Sequence, residues 1–186
     1  MRIIAGEKRS RRLLAPEGMD TRPTADRTKE ALFSILLSRL PGARVLDLYA
    51  GSGALALEAL SRGAAFAVLA DQSPKACRVI RQNIEALDYA GRTKLLSLPD
   101  SAALAALEKA GDSFDLIFLD PPYRLNAAPV CDRLLSAGLL RPNGMIIVEH
   151  ARETPPAPGP GLRLAERREY GAAGLSFYRA EEEKAE

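Results

Sequence analysis

The sequence predicts a doubly wound α/β fold, a mostly parallel sheet with helices on both faces. Three observations carry this. Short apolar runs alternate with helical patterns through five units between Val45 and Glu149. Phe114–Leu119 is continuously apolar, as a strand covered on both faces must be. A glycine turn, Gly51-Ser-Gly53, stands between the first of these runs and the helix after it.

The elements follow in order. Arg2–Ala5 and Arg12–Ala15 read as two short strands around a charged turn with Gly6, Lys8 and Ser10. Thr24 is the expected N-cap of a helix, with Asp26 in its first turn. Leu32, Ile35, Leu36 and Leu40 form its apolar stripe, and Pro41-Gly42 stops it. Val45–Leu48 is a strand, and Ala54–Arg62 a helix closed by Gly63. Strand Phe66–Ala70 leads into a helix opened by Ser73 as N-cap and Pro74 at N1, running to about Leu87. Strand Lys94–Leu98, helix Ser101–Ala110, strand Phe114–Leu119, helix Pro129–Ala137 and strand Met145–Glu149 complete the alternation. Thr154 to Gly161 carries four prolines and reads as a surface loop. Arg163–Tyr170 and Leu175–Arg179 flank Gly171-Ala-Ala-Gly174, a hairpin by pattern. The expected organisation is a basic hairpin and helix over 1–40, the sheet domain over 41–180, and a disordered acidic tail over 181–186.

Composition narrows the function classes. With 47% apolar and 27% charged residues in 186, the chain has enough core for one domain and is not disordered throughout. It has no eighteen-residue apolar run, and its start lacks the apolar stretch of a signal peptide. Cys77 and Cys131 lack metal-site spacing, and His150 is the lone histidine. A disulfide scaffold, a zinc site and a histidine-centred hydrolase are therefore disfavoured, no metal is expected, and a cytoplasmic domain is. The net charge of +2 is uneven: residues 1–12 carry a local +4 and residues 181–186 a local −3. Lys8, Arg9, Arg11 and Arg12 are either phosphate contacts or part of a solvated, frayed terminus.

The glycine turn lets backbone approach a ligand at a helix N-terminus. Asp71 ends the second strand twenty residues after Gly51, where a carboxylate can accept both hydroxyl hydrogens of a ribose. Asp47, just ahead of the turn, would repel a pyrophosphate; it either holds an ammonium group or braces the loop. An adenosine ligand with a cationic amino-acid tail suits these residues better than a dinucleotide. The fourth strand ends in Asp120-Pro121-Pro122-Tyr123. Two prolines keep the chain extended there. Asp120 and the Pro121 carbonyl can each accept one N–H of a planar amine while Tyr123 stacks on its ring.

Asp47 to Gly53, Asp71 and Asp120 to Tyr123 resemble the motifs of class I S-adenosylmethionine-dependent methyltransferases acting on exocyclic amines. Met1 to Gly6, Thr21 to Phe33, Glu58 to Ala64, Val148 to His150 and Glu169 to Gly171 extend the similarity to nearly the whole chain, and they resemble the bacterial RsmD family of 16S rRNA guanine-N2 methyltransferases. Ser10 stands where a glycine is expected, and Asp71 where glutamate is common. The resemblance implies a Rossmann-like methyltransferase sheet of seven strands, the last two an antiparallel edge hairpin. It implies S-adenosylmethionine as cofactor, with S-adenosylhomocysteine as product, held by Asp47, Tyr49, Gly51, Gly53, Asp71 and Asp100. Asp100 would accept the adenine amino hydrogens, or equally cap the helix from Ser101. It implies Asp120, Pro121 and Tyr123 as the catalytic set and 16S rRNA, within an assembled or late-assembly small subunit, as the partner of a monomer. Lys8, Arg9, Arg11, Arg12, Arg22 and Tyr123 contact the RNA in this reading, while Arg22 and Thr24 lie near the expected cofactor mouth, where hinge, cap and substrate-contact roles stay open. His150 is left as a packed or surface group. An adenine-N6 methyltransferase and a nucleotide-binding protein without methyl transfer are the competing readings.

Overall fold

The computed structural model, which describes residues 1–16 and 23–181, pairs seven strands into one sheet. They are β1 (Arg44–Asp47), β2 (Phe66–Ala70), β3 (Thr93–Leu96), β4 (Phe114–Leu119), β5 (Leu140–Ala151), β6 (Leu162–Tyr170) and β7 (Ala173–Ala180). The order is β3-β2-β1-β4-β5-β7-β6. The first five strands run parallel; β7 is antiparallel to β5, and β6 to β7. The helices are α1 (Pro23–Ile35), α2 (Ala54–Ser61), α3 (Pro74–Ala86), α4 (Asp100–Lys109) and α5 (Ala128–Ser136).

Both faces of the central strands are buried, which is why their sequences are apolar without a polar alternation. Val45, Leu116, Phe118 and Ile147 pack with α1, α2 and α3 through Phe33, Leu57, Leu60 and Ile80. Leu46, Ile117, Ile146 and Val148 face the other way, onto Leu104 and Leu107 of α4 and Leu134 of α5. Among the described residues, no helix is long and apolar enough to cross a membrane.

Four expectations change. The two N-terminal strands reduce to a single bridge between Arg2 and Arg12. Backbone bonds still cross between the two segments, from Ile3 N–H to Arg11, Ser10 N–H to Ile3 and Leu13 N–H to Met1, but Ile4 and Ala5 donate to Glu58, and Leu14 donates to Asn83 Oδ1 at 2.8 Å. The arm is not frayed, since Ile3 is fully buried and Leu13 nearly so. Helix α1 starts at Pro23, so Thr24 lies inside its first turn rather than at an N-cap. It also stops at Ile35, and a short 3-10 turn, Leu37–Arg39, carries the buried Leu36 and Leu40 instead. Strand β5 is longer at both ends than its apolar centre, pairing Leu140 with Phe114 before a register shift and extending to Ala151 against β7. Ser73 and Pro74 hold their expected places, the Ser73 side chain accepting the Ala76 N–H.

Candidate functional site

Sheet order places β1 beside β4, while the chain leaves β1 towards β2 and leaves β4 towards β5. Connections diverge at this switch point, opening a crevice beyond the strands' C-terminal ends. A cavity of about 760 Å³ lies there, lined by Tyr49, Gly51, Asp71, Asp100, Asp120 and Tyr123 among others. A second cavity of about 400 Å³ lies alongside, with Glu149, Asn126, Thr154 and Pro156 in its lining. Pro121, Tyr123, Arg124 and Leu125 line both.

The first cavity is built on the β1–α2 turn. Gly53 is the N-cap of α2 at φ 79°, and a Cβ there would lie 2.9 Å from Leu69 Cδ2. Asp71 holds the turn in place: Oδ2 accepts the Gly51 N–H at 2.9 Å and Oδ1 accepts the Ser73 N–H at 2.8 Å. Each oxygen retains a second lone pair for a hydroxyl donor. Asp47 lies beneath, 1% exposed. Its Oδ2 accepts the Ala56 N–H at 3.2 Å, whereas Oδ1 is buried without a hydrogen-bond partner among the described residues. Burial raises this carboxyl to about 7, against the Ala56 N–H and with repulsion from Asp71 adding to it. An orphaned buried carboxylate oxygen below an adenosine-sized crevice suits a cationic donor such as an α-ammonium group. Asp47 thus braces α2 with one oxygen and keeps the other buried and unpaired, without itself lining the cavity.

Asp100 is the first residue of α4, whose N-cap is Pro99. Its Oδ1 accepts the Ser101 N–H at 2.7 Å and its Oδ2 the Tyr49 hydroxyl at 2.7 Å. Burial and Asp100 both raise the Tyr49 hydroxyl, which keeps it a donor. The helix-end role and a cavity position coexist in one carboxylate.

On the shared wall, Pro121 is buried and Tyr123 is 51% exposed. Asp120 is exposed and lines the larger cavity, with protein packed around its carboxyl. That desolvation, then Glu149, then Asp47, raises its carboxyl well above the usual range. Glu149, at the end of β5, is half-buried and is also raised by burial, offset by the Tyr123 hydroxyl 3.4 Å from its Oε1. Sequence reasoning quoted Glu149 only within a family-like motif. Its position at the C-terminal end of the strand next to β4 was the available signal.

The basic arm sits beside the glycine turn. Asn83 Nδ2 donates to the carbonyls of Leu14 and Ser52, at 3.0 and 2.9 Å. Arg9, Arg11 and Arg12 are exposed, while Lys8 is half-buried with its ammonium 5.5 Å from the Tyr89 ring centre. Arg22 lies outside the described residues. His150 is a packed group: its Nδ1 lies 2.8 Å from the Ala151 carbonyl and its Nε2 2.8 Å from Ser176 Oγ, and burial lowers its pKa. The proline-rich segment is pinned by Tyr178, whose hydroxyl donates to the Pro156 carbonyl, and by Asp132, which accepts the Gly159 N–H. It walls the second cavity.

The chain's relatives share its whole architecture. The Escherichia coli protein named ribosomal RNA small subunit methyltransferase D is 37% identical over 150 residues, 80% of this chain and 74% of that one. YlbH of Bacillus subtilis is 35% identical over 181 residues, 96% of this chain and 98% of its own length. The solved structure of yhhF from Escherichia coli superimposes with a TM-score of 0.86 at 31% identity, covering 98% of this chain and 99% of that one. A family model described as conserved hypothetical protein 95 matches residues 1–179. This chain belongs to that family, the RsmD family.

Proposed function

We propose that this protein is an S-adenosylmethionine-dependent methyltransferase that methylates the N2 amine of one guanine in 16S rRNA. The observation that carries this is the pair of abutting cavities that share Pro121 and Tyr123 in their walls, with Asp120 lining the larger. The names of the relatives support small-subunit rRNA as the substrate. The proposed particle is an assembled or late-assembly small subunit, read by a cytoplasmic monomer.

In the larger cavity, Asp71 takes the ribose hydroxyls, Asp47 Oδ1 the ammonium, and Gly51 and Gly53 let backbone approach. Tyr49 and Asp100 close the adenine end. Bound there, the cofactor would supply an electrophilic methyl group, its sulfur retaining the bonding pair. The residues of this chain mostly position. A guanine flipped into the smaller cavity stacks on Tyr123 in place of its neighbour in the RNA. Asp120 and the Pro121 carbonyl each accept one hydrogen of the 2-amino group, which turns the nitrogen lone pair out of the ring plane. As that nitrogen bonds to the methyl carbon it gains positive charge, which Asp120 stabilises and then removes by taking one of the amine protons. The arm over residues 1–40 is the RNA-positioning extension, through Arg9, Arg11 and Arg12 with Lys8 and Arg22.

Mass spectrometry of nucleosides from 16S rRNA, taken from cells with and without the protein, tests the reading. One N2-methylguanosine that depends on the protein is expected. N6-methyladenosine would transfer the same wall to adenine, and no methylated product would end the enzyme reading.

A further inference from the structure

The second cavity has a carboxylate that methyl transfer by Asp120 does not require. Glu149 is the one acid in its lining among the described residues. Its other polar side chains have prior engagements or different chemistry. His150 is bonded to Ser176 and Ala151, Asn126 Oδ1 accepts the Ala128 N–H at 3.0 Å, and Arg124 can only donate. Glu149 is therefore the one carboxylate acceptor facing a base held there, beside the neutral hydroxyl of Thr154, and its Oε1 also accepts the Tyr123 hydroxyl at 3.4 Å.

We infer that Glu149 accepts the ring N1–H of the target guanine and thereby makes the site guanine-specific. The inference rests on the guanine-N2 reading above. Guanine is the base that presents a ring N–H directly beside an exocyclic amine. Adenine and cytosine pair their amine with a bare ring nitrogen, whose lone pair would face the carboxylate; uracil has a ring N–H and no amine. Asp120 at the end of β4 and Glu149 at the end of the adjacent β5 divide that edge between them. The first takes the amine and the second the ring. Each carboxylate raises the cost of charge on its neighbour, and a base edge with three N–H donors relieves what an empty cavity cannot. A methyltransferase reading only the amine would accept any amino base; the second carboxylate removes that freedom.

The test uses the full chain, S-adenosylmethionine, and unmethylated 16S rRNA carrying either guanosine or 2-aminopurine at the methylated position. 2-Aminopurine keeps the amine and lacks the ring hydrogen. Wild type should methylate it about 100-fold more slowly, the scale of a buried acceptor left facing a lone pair. Glu149→Leu, which offers no acceptor to the ring N–H, should lose about 100-fold on guanosine and narrow the preference, while S-adenosylhomocysteine affinity stays within about twofold. An unchanged guanosine preference in the variant overturns the role of Glu149. So does equal use of both bases by wild type, a measurement that needs no variant to fold. A wild-type product other than N2-methylguanosine would instead overturn the guanine reading on which this rests.

Discussion

Glu58 Oε2 accepts the backbone N–H of Ile4 at 2.8 Å, so a helix carboxylate supplies the partner that a β-ladder would otherwise provide. Its Oε1 takes the Ala5 N–H at 3.0 Å. The same group meets Arg62 Nε at 2.8 Å and Lys29 Nζ at 3.4 Å, and it is fully buried. Arm, α1 and α2 therefore share one charge. Glu58→Ala removes the carboxylate shared by two cations and two N–H groups, and urea unfolding should register a loss of about 3–5 kcal/mol. A loss below about 1 kcal/mol would mean the arm is held by Ile3 and Leu13 alone.

Ser10 occupies the left-handed region at φ 68°. The glycine expected here is the residue that region favours, and a β-branched side chain is the one it least tolerates. Ser10→Val should lower stability by about 1–2 kcal/mol, and Ser10→Gly should be neutral to slightly stabilising. Equal denaturation midpoints for all three proteins would contradict the strain.

Asp47 gives a pH signature. Its carboxyl moves from 3.8 to about 7 on folding, so the folded state binds the additional proton between those values. Stability of the ligand-free protein should fall as pH rises through that window, with Asp47→Asn flattening the slope. An ammonium beside Oδ1 favours the ionised form, so S-adenosylhomocysteine should bind more tightly as pH rises towards 7, with release of a proton. Calorimetry in two buffers of different ionisation enthalpy measures this. The same proton release from Asp47→Asn would remove Asp47 from the effect.

Asp71 and Asp120 should separate binding from chemistry. Asp71→Ala removes the ribose acceptor and frees the Gly51 and Ser73 N–H groups, and S-adenosylhomocysteine affinity should drop by about 2–3 kcal/mol. Asp120→Ala should leave that affinity nearly intact and abolish most methyl transfer in single-turnover assays. The opposite pattern would exchange the two roles.

Salt dependence tests the arm. Replacing Lys8, Arg9, Arg11 and Arg12 should weaken RNA binding and flatten its dependence on log salt by roughly 0.7–0.9 per lost phosphate contact. Lys8, lying against Tyr89, should contribute less than the three exposed arginines. Parallel salt plots would assign RNA contact to another surface.

The sheet was legible because strands buried on two faces cannot avoid an apolar sequence, and Asp47, Asp71 and Asp120 because each ends a strand. The arm was not. Its residues look like strands, but the acceptor for Ile4 and Ala5 is Glu58, more than fifty positions away, and pattern reading cannot supply a distant side-chain partner. Leu36 and Leu40 kept the helical stripe although the α-helix stops at Ile35, since a tighter turn can present the same two leucines to the core. Glu149 was missed because an acid after an apolar run is ordinary until β5 is known to lie beside β4. The proline-rich segment was read correctly as a loop, but its service as a cavity wall depends on Tyr178.

Tyr123 belongs to two cavities at once, which makes it an accountant of free energy between them. Whatever factor an occupant of the larger cavity applies to affinity in the smaller through that ring, the second occupant must return to the first. A ring held flat by the cofactor would make the base bind better and the cofactor leave more slowly once the base is in. A ring pushed aside would do the reverse to both. The sign of that exchange, read from cofactor affinity with and without RNA, decides whether the protein travels to its substrate loaded or empty.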